Sequence, residues 1–242
     1  MSDSKANTHP LNVVIYWHMH QPDYRDLRNC EFHLPWTYLH TIKDYFDMAA
    51  HLEYNIDARA VVNFAPVLLE QIDDYAQQLD GYLHHGKALR DSLLAALADP
   101  VMTLDNEKRL HIIKACLRAN KERLVKRFDV FKTLTDIAKT ILKKPAILPY
   151  SSGQFYADLI VWYHLAWMAE TVRLSDPRII SLMKKAEHFT AHDRHLLVEV
   201  INELVSSVIG RYKKLAEAGR VELTMTPYAH PIVPLLLDFK SA

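Results

Sequence analysis

Two histidines two residues apart, His18 and His20, stand at the end of the most apolar stretch near the start of the chain. That stretch, Leu11 to Pro22, reads LNVVIYWHMHQP and is predicted to be a buried strand. Both of its faces are largely apolar, which indicates a strand covered on each side. Because side chains alternate between the faces of a strand, the two imidazoles project from the same face. They therefore lie at the carboxyl end of a strand, where ligands bind in α/β folds.

Three kinds of chemistry are open to two imidazoles in this position. Histidines bind Zn²⁺ when further ligands complete the site, and Glu222 and His230 are the candidates to do so. Imidazoles also donate and accept hydrogen bonds, so the pair is suited to holding a hydroxylated substrate. A structural role as hydrogen-bonded polar groups at the end of a sheet is the third interpretation. The HxH spacing by itself does not separate these interpretations.

Two residues far along the chain are predicted to reach the same site. Glu222 lies within the predicted strand Arg220 to Thr226, where burying an unpaired carboxylate would be costly. A salt bridge to a neighbouring arginine is the structural alternative to a functional role for Glu222. His230 follows on a loop that Pro231 and Pro234 stiffen. We expect Glu222 and His230 to join the histidine pair at one end of the sheet.

The elements that position these residues alternate at first between strand and helix. A helix is predicted from Trp36 to Tyr54, a strand from Ala58 to Phe64 and a second helix from Pro66 onward. This order predicts parallel strands with right-handed crossovers. From Gly81 to Gly219 the pattern is almost entirely helical, so the third strand follows a large helical insertion. Three strands cannot close a barrel, and the chain is interpreted as the N-terminal part of a larger domain.

Several local signals mark the ends of helices within the insertion. Asp176 before Pro177 is typical of an N-cap, and Thr190 with Asp193 is typical of a capping box. Gly219 is the expected stop of the last long helix. His84-His85 is interpreted as the solvated start of a helix. Three aromatic residues of one helix are expected in the core rather than in a sugar site: Trp162, Tyr163 and Trp167.

Composition sets limits on the class of protein. The chain has 242 residues, of which 50% are hydrophobic and 24% charged, as in an ordinary globular protein with a sizeable core. Lys+Arg and Asp+Glu each number 29, so no basic field favours nucleic acid or an anionic membrane. Residues 1–10 are polar and expected to be disordered, and neither a signal peptide nor a membrane helix is recognisable. Cys30 and Cys116 stand outside any CxxC pair, which favours a reducing, cytoplasmic location.

Five segments of the chain resemble glycoside hydrolase family 57. WHMHQP is similar to the first conserved region, and LPWTYLHTIKDYFDM and VVNFAPVLLEQIDDYA are similar to the segments that follow it in amylopullulanase-like members. DLIVWYHLAWMAETVRLSDPRI resembles their helical insertion, and GRVELTMTPYAHPIVPLLLD resembles the second conserved region and what trails it. These segments occur in the family's order over nearly the whole chain from Leu11. One departure is that the second region usually begins Gly-Gln, whereas here it reads Gly219-Arg220.

The resemblance implies a fold, a reaction and a set of site residues. The implied fold is α/β, the N-terminal part of an incomplete (β/α)7 barrel over residues 11–242, with the helical insertion at about 81–219. The implied activity is retaining hydrolysis or transfer on α-glucans such as starch, glycogen or maltodextrin, at α-1,4 or α-1,6 bonds. No metal or other cofactor is implied. The residues expected to line the subsite for the sugar being cleaved are His18, His20, Glu222 and His230.

The two catalytic groups of such an enzyme are expected outside this chain. Retaining glycosidases use a nucleophile and an acid/base about 5–5.5 Å apart. The family carries them as a glutamate and an aspartate in later conserved regions, so we expect both beyond residue 242 and expect the chain alone to be inactive. Its expected partners are an α-glucan and the remainder of the catalytic domain. The alternatives are a metal-dependent enzyme similar to polysaccharide deacetylases and a non-catalytic carbohydrate-binding protein.

Overall fold

Three short parallel strands form the sheet, in the order β1–β2–β3. The strands are β1 (Tyr16–Met19), β2 (Ala60–Phe64) and β3 (Val221–Met225). The computed structural model describes residues 13–26, 28–99, 101–102 and 105–241, so the predicted start of the first strand at Leu11 lies outside the described residues. The parallel arrangement confirms the prediction, and each observed strand is shorter than its predicted range.

Helices make up most of the described chain, as predicted. A π-helical segment (Thr41–Tyr45) joins the first two helices, and 3₁₀ turns lie at Val125–Arg127 and Pro145–Tyr150. In the part of the chain that the structure describes, no helix is both long and apolar enough to cross a membrane. The helices are α1 (Trp36–His40), α2 (Phe46–Tyr54), α3 (Pro66–His85), α4 (Ser92–Ala98), α5 (Asn106–Cys116), α6 (Asp129–Lys143), α7 (Gly153–Trp167), α8 (Glu170–Ser175), α9 (Pro177–Lys185), α10 (Ala191–Glu217) and α11 (Val233–Leu237).

The predicted helix boundaries around α9 and α10 are confirmed. The Asp176 carboxylate accepts a hydrogen bond from the backbone N–H of Arg178 at 2.8 Å. Thr190 Oγ1 accepts one from the N–H of Asp193 at 3.2 Å, and the Asp193 carboxylate accepts one from the N–H of Thr190 at 2.6 Å, which completes a capping box. Gly219, with φ of 66°, follows the end of α10 in the left-handed conformation that favours glycine.

The end of α3 differs from its prediction. His84 and His85 form the last turn of α3 rather than the start of a helix. The helix continues through Gly81, where the insertion was predicted to begin, and stops at Gly86 with φ of 62°. The physical reason is that the left-handed residue after the histidines ends the helix, and the next helix, α4, starts only at Ser92.

The helices α4 to α10, here called the helical region, pack around α7. Every residue of α7 from Tyr156 to Trp167 is buried, and the expected core position of its aromatic residues is confirmed. A helix that is apolar on all sides must be surrounded by other elements. α10 packs against α3, α4, α7 and α2 and also reaches β3, so it connects the helical region to the sheet.

Helices cover one face of β1 and β2 and leave their other face open, whereas Leu223 and Met225 on the covered side of β3 are 45% and 76% exposed. Met19 and Val62, on the covered face, are 1% and 0% exposed. On the opposite face, Tyr16 is 55% exposed, and His18 and Glu222 are exposed as well. The prediction of a first strand covered on both faces is therefore wrong for the described residues, because helices pack only behind Met19 and its neighbours. The uncovered side, here called the open face, carries Tyr16, His18, Val61, Asn63, Glu222 and Thr224.

Candidate functional site

Three histidines lie together at the carboxyl end of β1. The ring centroids of His18 and His230 are 4.5 Å apart, those of His20 and His230 are 5.0 Å apart, and those of His18 and His20 are 6.0 Å apart. His18 is the third residue of β1, and His20 directly follows the strand. The structure thus brings together three of the four residues named from the sequence. We call them the histidine cluster.

The loop that carries His230 is fixed to α3 and holds this residue in an uncommon conformation. His230 has φ of 57°, which costs free energy in a residue with a side chain. Its backbone N–H donates to the carbonyl of Pro227 at 2.8 Å, closing a tight turn. The Tyr228 hydroxyl donates to the Glu70 carboxylate, and the Tyr228 carbonyl accepts from the N–H of Val67 at 3.2 Å. These anchors hold the His230 ring against the other two rings.

Asn63 supports the histidine cluster from below, and sequence analysis missed it. This residue is 2% exposed, and its Oδ1 lies 2.7 Å from His18 Nδ1, while its Nδ2 donates to Thr224 Oγ1 at 2.9 Å. With the amide in this orientation, His18 Nδ1 is the donor, and the neutral ring presents Nε2 as an acceptor. The signal was an amide in the middle of the apolar strand AVVNF, because a buried amide needs hydrogen-bond partners.

The electrostatics of the histidine cluster favour a neutral ring at His20. Burial lowers the pKa of His20, and the neighbouring His230 and His18 lower it further because a second positive charge nearby is unfavourable. The histidine–carboxylate pairs of the described chain lie elsewhere, as in His40 with Asp44. Neutral imidazoles both donate and accept hydrogen bonds, which is the chemistry that hydroxyl groups require.

Glu222 does not join the histidine cluster. The register pairs Glu222 with Val61 and Val61 with Tyr16, so Glu222 lies one side-chain row before His18 and two strands away from it. One row along a strand is about 6.6 Å. The expected position of Glu222 beside the histidines is therefore wrong, and so is its expected burial, because β3 begins at Val221 and leaves Glu222 near its exposed amino end.

Glu222 lines a shallow depression of about 440 Å³ at the amino ends of the strands. Ile15 and Arg59 line it together with Glu222. Arg220, where the family resemblance implies a glutamine, donates to the backbone carbonyls of Leu52 and Asn55 at the end of α2. This arginine therefore caps a helix, since the last carbonyls of a helix lack partners within it.

The positions of the side chains can be compared with what a metal site requires. Among residues 13–26, 28–99, 101–102 and 105–241, no group of three or more His, Cys, Asp or Glu side chains is placed so that it could hold a metal ion. The histidine cluster is instead held by packing between its rings and by the hydrogen bond to Asn63.

Comparison with known proteins gives one match. The family model described as Glycosyl hydrolase family 57 matches residues 14–242, which include the sheet, the helical region and the histidine cluster. No curated protein and no solved structure matches the chain.

Proposed function

The chain belongs to glycosyl hydrolase family 57, and from this premise we propose that it forms the α-glucan-binding part of a retaining hydrolase or glucanotransferase. Membership of the family indicates a glycoside hydrolase or transferase. The α-glucan substrate, with α-1,4 or α-1,6 bonds, is our proposal. The observation that carries it is the histidine cluster at the carboxyl end of β1, with ring centroids 4.5–6.0 Å apart.

The histidine cluster suits a neutral sugar better than an anion. Asn63 holds a proton on His18 Nδ1, so the exposed Nε2 accepts from a sugar hydroxyl. The lowered pKa of His20 keeps that ring neutral near pH 7, and a neutral ring offers one donor and one acceptor. We propose that His18, His20 and His230 hold the sugar unit at the bond that is cleaved or transferred.

The catalytic carboxyl groups are proposed to come from another part of the domain. Retaining chemistry places two carboxyl groups about 5–5.5 Å apart at the reacting bond. Glu222 lies one side-chain row and two strands away from His18, so we do not assign it the role of nucleophile. The exposed side chains of Tyr16 and Leu223, at 55% and 45%, offer apolar surface on which the rest of the catalytic domain would pack.

The surroundings of the protein are part of the same proposal. Cys30 is exposed and Cys116 is buried, and neither forms a disulfide, which agrees with a reducing cytoplasm. The formal net charge of zero gives no electrostatic reason to propose nucleic acid or membrane partners.

Calorimetric titration of residues 1–242 with maltoheptaose tests the binding role, with cellohexaose as the β-linked control. We expect maltoheptaose to bind and His18→Ala or His20→Ala to weaken it about 5–100-fold, because each variant loses hydrogen bonds worth ~1–3 kcal/mol. Equal binding of both oligosaccharides, or unchanged binding by both variants, would contradict the proposal. Tight Zn²⁺ binding that is lost in the same variants would favour the metal-dependent hydrolase instead.

An assay for new reducing ends and for glucan redistribution tests the proposed origin of the catalytic groups. We expect residues 1–242 to release no measurable product from starch, maltodextrin or pullulan, because groups that act as a unit leave little catalysis when removed. Turnover by this chain that Glu222→Gln abolishes would show that Glu222 is catalytic and would overturn the assignment.

A further inference from the structure

A second depression adjoins the histidine cluster on the side of α1. It is shallow and open to solvent, with a volume of about 310 Å³. Gln21, at its edge, directly follows His20 in the chain. The side chains that line the depression include Gln21, Trp36, His40, Arg118, Asn120 and Trp167.

A partly exposed tryptophan forms one wall of this depression. Trp36 is the first residue of α1 and is only half-buried. Its ring packs against that of Trp167, with centroids 5.7 Å apart and planes inclined by 47°. Trp167 is 8% exposed and belongs to the core around α7, so it fixes the position of the outer ring. A rigid aromatic surface with polar neighbours suits the apolar face of a sugar ring.

The π-helical segment Thr41–Tyr45 directly follows His40, which lines the depression. The widened turn is stabilised where the Ile42 carbonyl accepts a hydrogen bond from the N–H of Ala169 at 2.9 Å. The rings of His40 and Tyr45 are 6.3 Å apart, whereas in a continuous α-helix residues five apart would be turned about 140° from each other. Such widened turns are frequent at functional sites, and His40, directly before this one, lines the depression.

His40 is oriented by a carboxylate. Its Nδ1 lies 2.5 Å from Asp44 Oδ2, and Lys43 Nζ lies 2.8 Å from Asp44 Oδ1. Burial raises the pKa of Asp44, but the hydrogen bonds from His40 and Lys43 outweigh burial and leave this pKa below its usual range. The ionised carboxylate accepts the Nδ1 proton, so Nε2 of His40 is left for a ligand.

Donors complete the rim of the depression. Asn120 Oδ1 accepts from the N–H groups of Glu122 and Arg123, at 3.0 and 2.9 Å, which leaves its amide nitrogen for a ligand. The exposed Arg118 lines the same rim. Gln21 Oε1 accepts from the Tyr24 hydroxyl at 2.8 Å, which holds this amide in place.

We propose that this depression is a second sugar-binding subsite, where one glucose unit of the same α-glucan chain stacks on Trp36 and bonds to His40, Asn120 and Arg118. The inference rests on the proposed function, because it assumes an α-glucan held at the neighbouring histidine cluster. It adds an aromatic subsite, so affinity is expected to depend on glucan length.

Calorimetric titration of residues 1–242 with maltoheptaose and with glucose tests the subsite. We expect Trp36→Ala to weaken maltoheptaose binding on the order of tenfold, or ~1.4 kcal/mol. Arg118→Ala is expected to weaken it about threefold, the loss of one exposed hydrogen bond. Tyr54→Ala, at an aromatic residue that is 89% exposed and outside the depression, is the matched control and should bind like the unmodified protein.

A second measurement does not depend on the folding of Trp36→Ala. In the ¹⁵N-labelled protein, the indole N–H resonance of Trp36, assigned with Trp36→Phe, should shift with maltoheptaose. The indole of Trp162, which donates to the Ala186 carbonyl at 2.6 Å, should not shift. Binding that depends on His20 but leaves the Trp36 resonance and the Arg118→Ala affinity unchanged would overturn this inference alone. Absence of maltoheptaose binding to the unmodified protein would overturn the proposed function as well.

Discussion

The helical region and the open face of the sheet differ in how far their side chains are buried and in whether their polar groups have partners within the protein. In the helical region, α7 is buried from Tyr156 to Trp167, and the starts of α4, α5, α7, α9 and α10 are capped by side chains. On the open face, Tyr16 is 55% exposed, and the histidine cluster above it has no carboxylate partner among its contacts. The residues that cap helix starts in and beside the helical region are Asp91, Asp105, Ser152, Asp176 and Thr190.

The buried His164 and the exposed His18 show the same difference between the two regions. His164 is fully buried in α7, its Nε2 lies 2.8 Å from the Tyr38 hydroxyl, and its Nδ1 lies 2.7 Å from the Ile160 carbonyl. Both of its ring nitrogens are therefore used within the protein, whereas His18 uses only Nδ1 and leaves Nε2 for a ligand. We therefore expect the helical region to provide most of the stability and the open face to provide the binding. Substitutions in the first should lower the free energy of unfolding, and substitutions in the second should weaken binding.

The largest expected effect on stability is in α7. Leu159→Ala should lower the free energy of unfolding by about 2–5 kcal/mol, because it leaves a cavity in a fully buried site. Leu223→Ala is the matched control, since Leu223 is 45% exposed on β3 and should lose under ~1 kcal/mol. Urea denaturation followed by circular dichroism measures both values. Equal losses would contradict the division between the helical region and the exposed edge of the sheet.

Acidification should destabilise the protein through His164. Burial lowers the pKa of His164 from 6.5 to about 4. Between these two pH values, the unfolded state binds a proton that the folded state does not. Stability is therefore full above pH 6.5 and falls as the pH drops towards 4, by up to about 3 kcal/mol. His164→Gln should flatten this dependence, and His51→Gln, at an exposed site on α2, should leave it unchanged. Parallel slopes for the His164→Gln and unmodified proteins would contradict this prediction.

An intermediate effect is expected at Asn63, which is buried within the open face. Asn63→Ala should cost about 1–3 kcal/mol, because Thr224 and His18 lose a buried partner. It should also weaken maltoheptaose binding, since the proton on His18 Nδ1 is no longer fixed. Asn202→Ala on α10 is the matched control and should change neither the unfolding free energy nor the Kd. Loss of stability with full binding would show that the hydrogen bond to Asn63 does not orient His18.

The smallest effect on stability is expected at the exposed edge of the sheet. Leu223→Thr should change the unfolding free energy within ~0.5 kcal/mol, as is usual for surface substitutions. It should nevertheless reduce self-association, because β3 is an edge strand that presents apolar side chains. Val221 was expected to contribute to this edge but is 5% exposed, so Val221→Thr should instead destabilise the protein. Sedimentation velocity and urea denaturation of both variants distinguish these outcomes.

The sequence predicted the elements well because their signals are local. The caps at Asp176 and Thr190 and the alternation of β1 and β2 depend on residues within a few positions of each other. The barrel implied by the family resemblance is a larger structure than the three-stranded sheet observed, and it remains a prediction.

What could not be predicted depends on contacts between distant residues. The alternation of side chains predicts the face of the sheet on which Glu222 lies. It does not predict how far along the sheet Glu222 lies, because that position is fixed by pairing with Val61, which is distant in the sequence. The π-helical segment within the predicted helix Trp36 to Tyr54 was missed. It depends on a distant contact, because the Ile42 carbonyl accepts a hydrogen bond from the N–H of Ala169, just beyond the carboxyl end of α7.

The length of α10 has a consequence for cooperativity. Its 27 residues span about 40 Å and contact the helical region, α3 and β3. At its far end, the Tyr212 hydroxyl donates to the Tyr45 carbonyl at 2.9 Å, and the two rings of Tyr212 and Phe64 meet edge to face. An element shared in this way couples the folding of both regions into one transition. A glucan bound only on the open face would therefore raise the melting temperature of the whole protein, the distant helices included.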